Sequence, residues 1–238
     1  VTLKEYRSKR RFKVTPEPEG KKSPEKAKAP EKAKGPEKAK GPSRIFVVQK
    51  HSATRLHYDF RLEWHGVLLS WAVPKGPSTD PSVKRLAMHV EDHPIDYASF
   101  EGIIPAGEYG GGTVMVWDNG TWEPQVPDVS AALEKGDLKF ILHGKKLHGS
   151  WVLVRTRGFG SSTKESWLLI KHRDEYASPN DITVDEPKSV SSGRLLADIA
   201  RAGGGDVAKA ATGDPVIASK PVAPAKKPKK GSAPRKKG

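Results

Sequence analysis

The sequence predicts a mainly β fold: a compact antiparallel β-barrel of about eight strands with a few short helices, flanked by disordered basic tails. Three observations lead there. Eight short runs rich in β-branched and aromatic residues follow one another between residues 44 and 172. Turn-forming stretches such as PKGPSTDPS, PAGEYGGG and DNG punctuate them. Helical periodicity is scarce, and closing the sheet would remove its exposed edges.

In chain order the strands are expected at RIFVVQKH (44–51), LHYDFRLEW (56–64), VLLSWAV (67–73), RLAMHVEDH (85–93), TVMVW (113–117), DLKFILH (137–143), GSWVLVRT (149–156) and SWLLIKH (166–172). VSAALEKG (129–136) and SGRLLADIA (192–200) are the best helical candidates. The division follows: an N-terminal segment 1–20, a linker 21–43, a barrel domain 44–200 and a basic tail or linker 201–238. Within the linker, PEKAKA PEKAKG PEKAKG repeats a hexapeptide with one proline per copy. Each proline lacks an amide donor and restricts its predecessor, so no continuous helix fits; an extended, solvated linker does.

Charge is as uneven as composition. Residues 1–44 hold 15 Lys and Arg against 6 Asp and Glu, and residues 200–238 hold 10 against 2. The middle is therefore slightly acidic although the chain carries a net +14. Basic ends attract polyanions by counterion release without reading sequence. The absence of cysteine excludes disulfides, thiolate metal sites and cysteine nucleophiles. No apolar run is long enough for a membrane helix, and no membrane partner is expected. The first residue is Val1, so a fragment or a module of a longer protein is expected.

The chemistry concentrates in HSATRLHYDFRLEW. From His57 the residues alternate: His57, Asp59, Arg61 and Glu63 share one parity, and Leu56, Tyr58, Phe60, Leu62 and Trp64 the other. Alternate strand residues share a face about 7 Å apart, so an imidazole, a carboxylate and a guanidinium line up. His51 ends the preceding strand, and a loop of five residues returns it beside His57. Two imidazoles and a carboxylate suit a hydrolytic divalent metal, Mn²⁺ or Zn²⁺, and Arg61 presents a fork to phosphate. A polar face simply meeting water has the same alternation. A second strand weighs against that: Arg85, His89, Glu91 and His93 share parity, with Ala87. Two such faces would line the inside of a barrel, and His93 would bind phosphate or supply a proton. Lys75 reads first as a turn lysine, GEYGGG as a turn needing positive φ, and the tryptophans as core. His143, His148 and His172 read as structural. No nucleophile elbow is present.

QKHSATRLHYDFRLEW, SWAVPKGPS, RLAMHVEDHPIDYASFEGIIPAGEYGGGTVMVWDNGTWEP and WLLIKHRDEYA together resemble the 3′-phosphoesterase domain of bacterial DNA ligase D. LKEYRSKRRFKVTPEPEG resembles that domain's N-terminal segment. The resemblance implies a β-barrel hydrolase of non-homologous end joining, acting in the bacterial cytoplasm at the nucleoid. Its activity would be Mn²⁺-dependent (Zn²⁺ or Co²⁺ being possible at the same site): nuclease trimming of a 3′-terminal ribonucleoside and hydrolysis of a 3′-phosphate to a 3′-hydroxyl. It implies His51, His57 and Asp59 as metal ligands, Arg61 and His93 on the scissile phosphate, and Lys75, Arg85, Glu91 and Tyr97 completing the pocket. Arg10 and Glu17 would serve ribonucleoside removal. The implied partners are DNA primer-template 3′ ends, with ligase and polymerase modules and Ku. The family pattern Lys-Arg-Asp-Phe reads Lys9-Arg10-Arg11-Phe12 here. A non-catalytic adaptor binding a terminal phosphate is the alternative, and a histone-like coating protein a third, disfavoured by the acidic middle.

Overall fold

The computed structural model describes residues 3–20, 44–156 and 165–215. The hexapeptide linker and the last, most basic stretch expected as a tail lie outside the described residues. Nine strands form one sheet: β1 (Arg44–Ser52), β2 (Leu56–Trp64), β3 (Val67–Val73), β4 (Lys84–Pro94), β5 (Gly102–Ile104), β6 (Gly112–Pro124), β7 (Asp137–Gly144), β8 (His148–Arg155) and β9 (Ser166–Lys171). The order is β1-β2-β3-β4-β9-β8-β7-β6-β5, and β1 also pairs with β6. That second pairing closes eight antiparallel strands into a barrel, as expected, with short β5 added beside β6.

The expected strands agree with the observed ones except around DNG. Asp118, Asn119 and Gly120 do not turn; they lie within β6, where the register against β1 shifts between Val48 and Gln49. Gly120 is required there, because a Cβ would sit 2.1 Å from the His143 carbonyl.

The apolar parity of β2 points into the barrel: Tyr58, Phe60 and Leu62 pack with Phe46, Val48, Trp71, Trp117, Trp122, Phe140 and Trp151. Burying side chains of this size contributes about 1.5–3 kcal/mol each. The ionisable face of β2, with Glu91 and His93 of β4, therefore lies outside the barrel, contrary to the expectation that these residues line its interior. An apolar interior this aromatic leaves no room for unpartnered charge.

The outer face is roofed. Helix α1 (Lys4–Ser8) and the chain to Gly20 lie over it, with Tyr6 fully buried and its hydroxyl donating to the Pro18 carbonyl at 2.7 Å. Tyr6 joins Val47, Leu68, Tyr97 and Val116 in a second, smaller apolar cluster. Tyr97 belongs to a 3₁₀ turn, Ile95–Ser99, directly after β4.

The remaining helices brace the barrel. Asp128 caps α2 (Val129–Lys135), accepting from the Ala131 amide at 3.0 Å, and Gly136 ends it at φ 82°. After α3 (Ile182–Asp185) come α4 (Leu196–Gly203) and α5 (Val207–Ala211), whose Leu196, Ile199, Ala200 and Ala210 join the main core. The boundary expected at residue 200 falls inside α4, and the described residues run to Pro215. The polar composition of this stretch concealed its few apolar anchors and the Asp214 carboxylate, which accepts from the Leu196 and Ala197 amides at 3.0 and 2.9 Å. Among the described residues, no helix is long and apolar enough to cross a membrane.

Candidate metal and phosphate site

β1 and β2 run antiparallel with His51 facing His57 and Gln49 facing Asp59. The loop between the strands is Ala53–Arg55, three residues rather than the five expected, so the two imidazoles are direct cross-strand neighbours with ring centroids 4.9 Å apart. His51 Nδ1 lies 3.5 Å and His57 Nε2 3.6 Å from the same oxygen, Asp59 Oδ2. One potential ligand atom from each of the three residues falls within a 4.8 Å group.

The outer ring nitrogens are committed. His51 Nε2 is 2.8 Å from the Gly110 carbonyl, and His57 Nδ1 is 2.9 Å from the Arg55 carbonyl. A carbonyl only accepts, so each of these outer nitrogens carries a proton and each inner nitrogen faces the carboxylate, able to ligate a cation once it gives up any proton it shares with Asp59. Burial would raise the Asp59 pKa, but Arg61, His57 and His51 hold it well below the ordinary carboxylate value. Burial lowers that of His57, and the Asp59 carboxylate more than offsets it, leaving it raised. The donor set of two oriented imidazoles and one ionised carboxylate fits a divalent metal.

Arg61 links this triad to the next part of the site. Its Nη2 lies 3.2 Å from Asp59 Oδ2, its Nε donates to Gln49 Oε1 at 2.9 Å, and its Nη1 donates to Ser70 Oγ at 2.8 Å. The same Nη1 is 2.9 Å from His93 Nδ1, which is also 2.8 Å from the Glu91 carbonyl. Arg10 Nη2 approaches His93 Nε2 at 3.2 Å. Arginine cannot accept, so Nε2 is bare and Nδ1 donates to Glu91: His93 is neutral. Burial, reinforced by Arg61 and Arg10, pushes its pKa well below the ordinary value.

The N-terminal segment completes the wall. Arg10 Nε binds Glu17 Oε1 at 2.8 Å and its Nη1 binds Glu91 Oε1 at 3.2 Å. Lys9 reaches the other Glu91 oxygen at 3.1 Å. Tyr97 donates to Glu17 at 3.0 Å, and burial, with the Glu17 charge, pushes its pKa far above the usual phenol value, so it remains a donor. Arg10, Glu91 and Tyr97 border a cavity of about 220 Å³ that is also lined by His51, His57, Asp59, Arg61, His93, Ile104 and Tyr109.

Two expected residues are elsewhere. Lys75, exposed in the turn after β3, borders a separate recess with Tyr58, Thr183 and Asp214. Arg85 pairs with Leu169 of β9 and shares parity with Ala87, which faces the core. The cause is a register shift between β3 and β4. Leu68 faces His93, but Ser70 faces Val90, so β4 spends one extra residue there. Val90, Glu91 and His93 all line the cavity, while His89 turns inward against Trp71, ring centroids 5.4 Å apart.

Sequence reasoning passed over Gln49 and Ser70. Both were legible, being the outward-parity neighbours of Asp59 and Arg61. The Gly110 carbonyl had no side-chain signal. GEYGGG does contain the expected positive-φ turns, at Gly107 (88°) and Gly110 (78°). Arg11, where the family pattern has an acid, forms a two-pronged pair with Glu108 of this loop. His143 stands apart, 3.4 Å from exposed Glu123.

Residues 49–155 match the model of the DNA ligase D 3′-phosphoesterase domain. The chain is 50% identical over 197 residues to the multifunctional non-homologous end joining protein LigD of Pseudomonas aeruginosa, an alignment covering 82% of this chain and 22% of that protein. It is 45% identical over 130 residues to the multifunctional non-homologous end joining DNA repair protein LigD of Mycobacterium tuberculosis, covering 55% and 16% respectively. With LigD of Mycolicibacterium smegmatis the identity is 40% over 185 residues, covering 75% and 22%. The chain thus spans about a fifth of the length of these relatives.

Proposed function

Starting from the membership of residues 49–155 in the DNA ligase D 3′-phosphoesterase domain family, we propose that the protein is a Mn²⁺-dependent phosphoesterase that heals DNA 3′ ends at double-strand breaks. It hydrolyses a 3′-phosphate to a 3′-hydroxyl and trims a 3′-terminal ribonucleoside. The observation that carries this reading is the shared Asp59 carboxylate: one oxygen faces His51, His57 and Arg61 at once. A cation site and a phosphate fork thereby abut.

His51 Nδ1, His57 Nε2 and Asp59 Oδ2 would hold the metal, with Mn²⁺ preferred and Zn²⁺ or Co²⁺ accommodated. Bound there, it would supply Lewis-acid charge against the phosphoryl oxygens. The chain's own groups do the rest. Arg61, fixed by Gln49 and Ser70, offers its guanidinium to the phosphate without having to reorganise. Neutral His93 presents Nε2 to the cavity, where an arriving phosphate would compete for Arg10. Glu17 and Tyr97 keep Arg10 oriented, and Glu91 anchors it from below. Water adds to phosphorus, and the ester bond to the 3′ oxygen breaks, giving a 3′-hydroxyl and inorganic phosphate. DNA primer-template ends are the substrate of this reading, and ligase and polymerase modules and Ku its working partners, in the bacterial cytoplasm at the nucleoid.

The test uses two duplex primer-templates, one ending in a 3′-phosphate and one in a single ribonucleotide, each with and without Mn²⁺. Mn²⁺-dependent conversion of the first to a 3′-hydroxyl is expected, with shortening of the second by one nucleoside. Binding without product from either end, across Mn²⁺, Zn²⁺ and Co²⁺, would make the protein an end-binding adaptor instead.

A further inference from the structure

The lining of the cavity is of two kinds. Arg61, Arg10 and Glu91, with neutral His93, make a charged wall. Ala53, Ile104 and Tyr109 offer a phosphate nothing that balances its charge. Tyr109 is the unusual member, because its large side chain is 44% exposed although it borders a functional cavity. An exposed aromatic is ordinary on a loop; one held rigidly at the rim of an anion site is not.

The loop carrying Tyr109 is fixed from several sides. The Gly110 carbonyl meets His51 at 2.8 Å, and Glu108 is gripped by Arg11. A Cβ on Gly111 would lie 2.8 Å from the Pro105 carbonyl, and one on Gly112 only 2.1 Å from that of Ser52, so the backbone is drawn tight against the end of β1. Cations brace the ring: Lys9 Nζ lies 4.9 Å and Arg10 Cζ 5.5 Å from its centroid. A pre-ordered ring loses little freedom when a flat partner stacks on it.

We propose that Tyr109 is the stacking surface for the terminal nucleoside of the strand whose 3′ phosphate the charged wall receives. This rests on the phosphoesterase reading of the same site. The ligand class it selects is a base-bearing 3′ end rather than a phosphomonoester in general. Stacking is indifferent to base identity, since every base has a π-face, so preference among the four bases is weak. It makes Tyr109 a residue that separates a nucleotide end from a bare or abasic one.

The experiment compares two strands that are identical except at the last residue, which carries a 3′-phosphate on either a normal or an abasic sugar. Hydrolysis by the whole chain is measured with Mn²⁺ for wild type, Tyr109→Ala and Tyr109→Phe. Wild type and Tyr109→Phe are expected to favour the base-bearing end by about tenfold in kcat/KM, and Tyr109→Ala to lose that preference by slowing on the base-bearing end alone. Fluorescence of a terminal 2-aminopurine gives a second readout that does not require turnover: quenching with wild type and Tyr109→Phe, none with Tyr109→Ala. Equal loss on both ends for Tyr109→Ala would overturn the stacking role and leave a structural one. So would a wild type that does not distinguish them. Inactivity of wild type on both ends overturns the phosphoesterase reading itself, and the stacking role with it.

Discussion

Asp59 gathers three groups against one oxygen: the inner nitrogens of two imidazoles and one guanidinium. Removing one imidazole breaks the ligand set without touching the apolar interior. His57→Ala is expected to lower Mn²⁺-dependent kcat/KM on a 3′-phosphate end by at least about 100-fold. Filter binding should find its affinity for DNA within about twofold of wild type. A second residue-scale expectation concerns Asp92, whose pKa burial pushes up to about 6, with Glu5 and Glu91 adding to it. The folded state then holds the proton more tightly than the unfolded chain, so stability falls as pH rises from about 4 through 6. Asp92→Asn should raise the melting temperature at pH 7.5, by an amount equivalent to about 1 kcal/mol after allowing for solvent screening, and leave it unchanged at pH 4. An equal shift at both pH values would show that the carboxylate's charge is not the cause.

At the scale of elements, β2 was readable because the residues that face the core and those that face the candidate site are strictly interleaved. β4 was readable only in part. Glu91 and His93 do share the face that borders the cavity, but an extra residue opposite Leu68 and Ser70 reverses parity below, and Arg85 goes with the core. Nothing in a one-dimensional alternation marks such a bulge, since the pairing strand decides it. Helices α4 and α5 were obscured for another reason. Their anchors are small or sparse, and Asp214, which caps α4, follows that helix in the chain. Ending the chain at residue 200 should therefore cost about 3 kcal/mol and lower the melting temperature by roughly 5–10 °C. Beyond the lost cap, Lys50, buried and donating to the Gly213 carbonyl, would lose its acceptor. Ending it at residue 215 should leave the melting temperature unchanged; a fall there of the same size would move the boundary again.

For the whole molecule, charge and chemistry occupy different places. Residues 216–238 carry eight Lys and Arg and no acid, whereas the candidate site balances its charges internally. Deleting them should flatten the dependence of log affinity for DNA on log salt by several units. Turnover in low salt should stay within about twofold. A large loss of turnover would mean that the tail takes part in building the site. The roof over the site has a consequence of its own. Arg10, held by Glu17, reaches the cavity from a stretch separated from β1 by 23 residues, 21–43, and that stretch holds on through Tyr6, Lys9 and Arg10. The candidate site is thus built from two pieces that meet non-covalently, and joining them in one chain raises the local concentration of one near the other. A split version follows: a chain starting at residue 44, mixed with a free peptide of residues 3–20 at about millimolar concentration, should recover trimming of a ribonucleotide end that the shortened chain alone lacks.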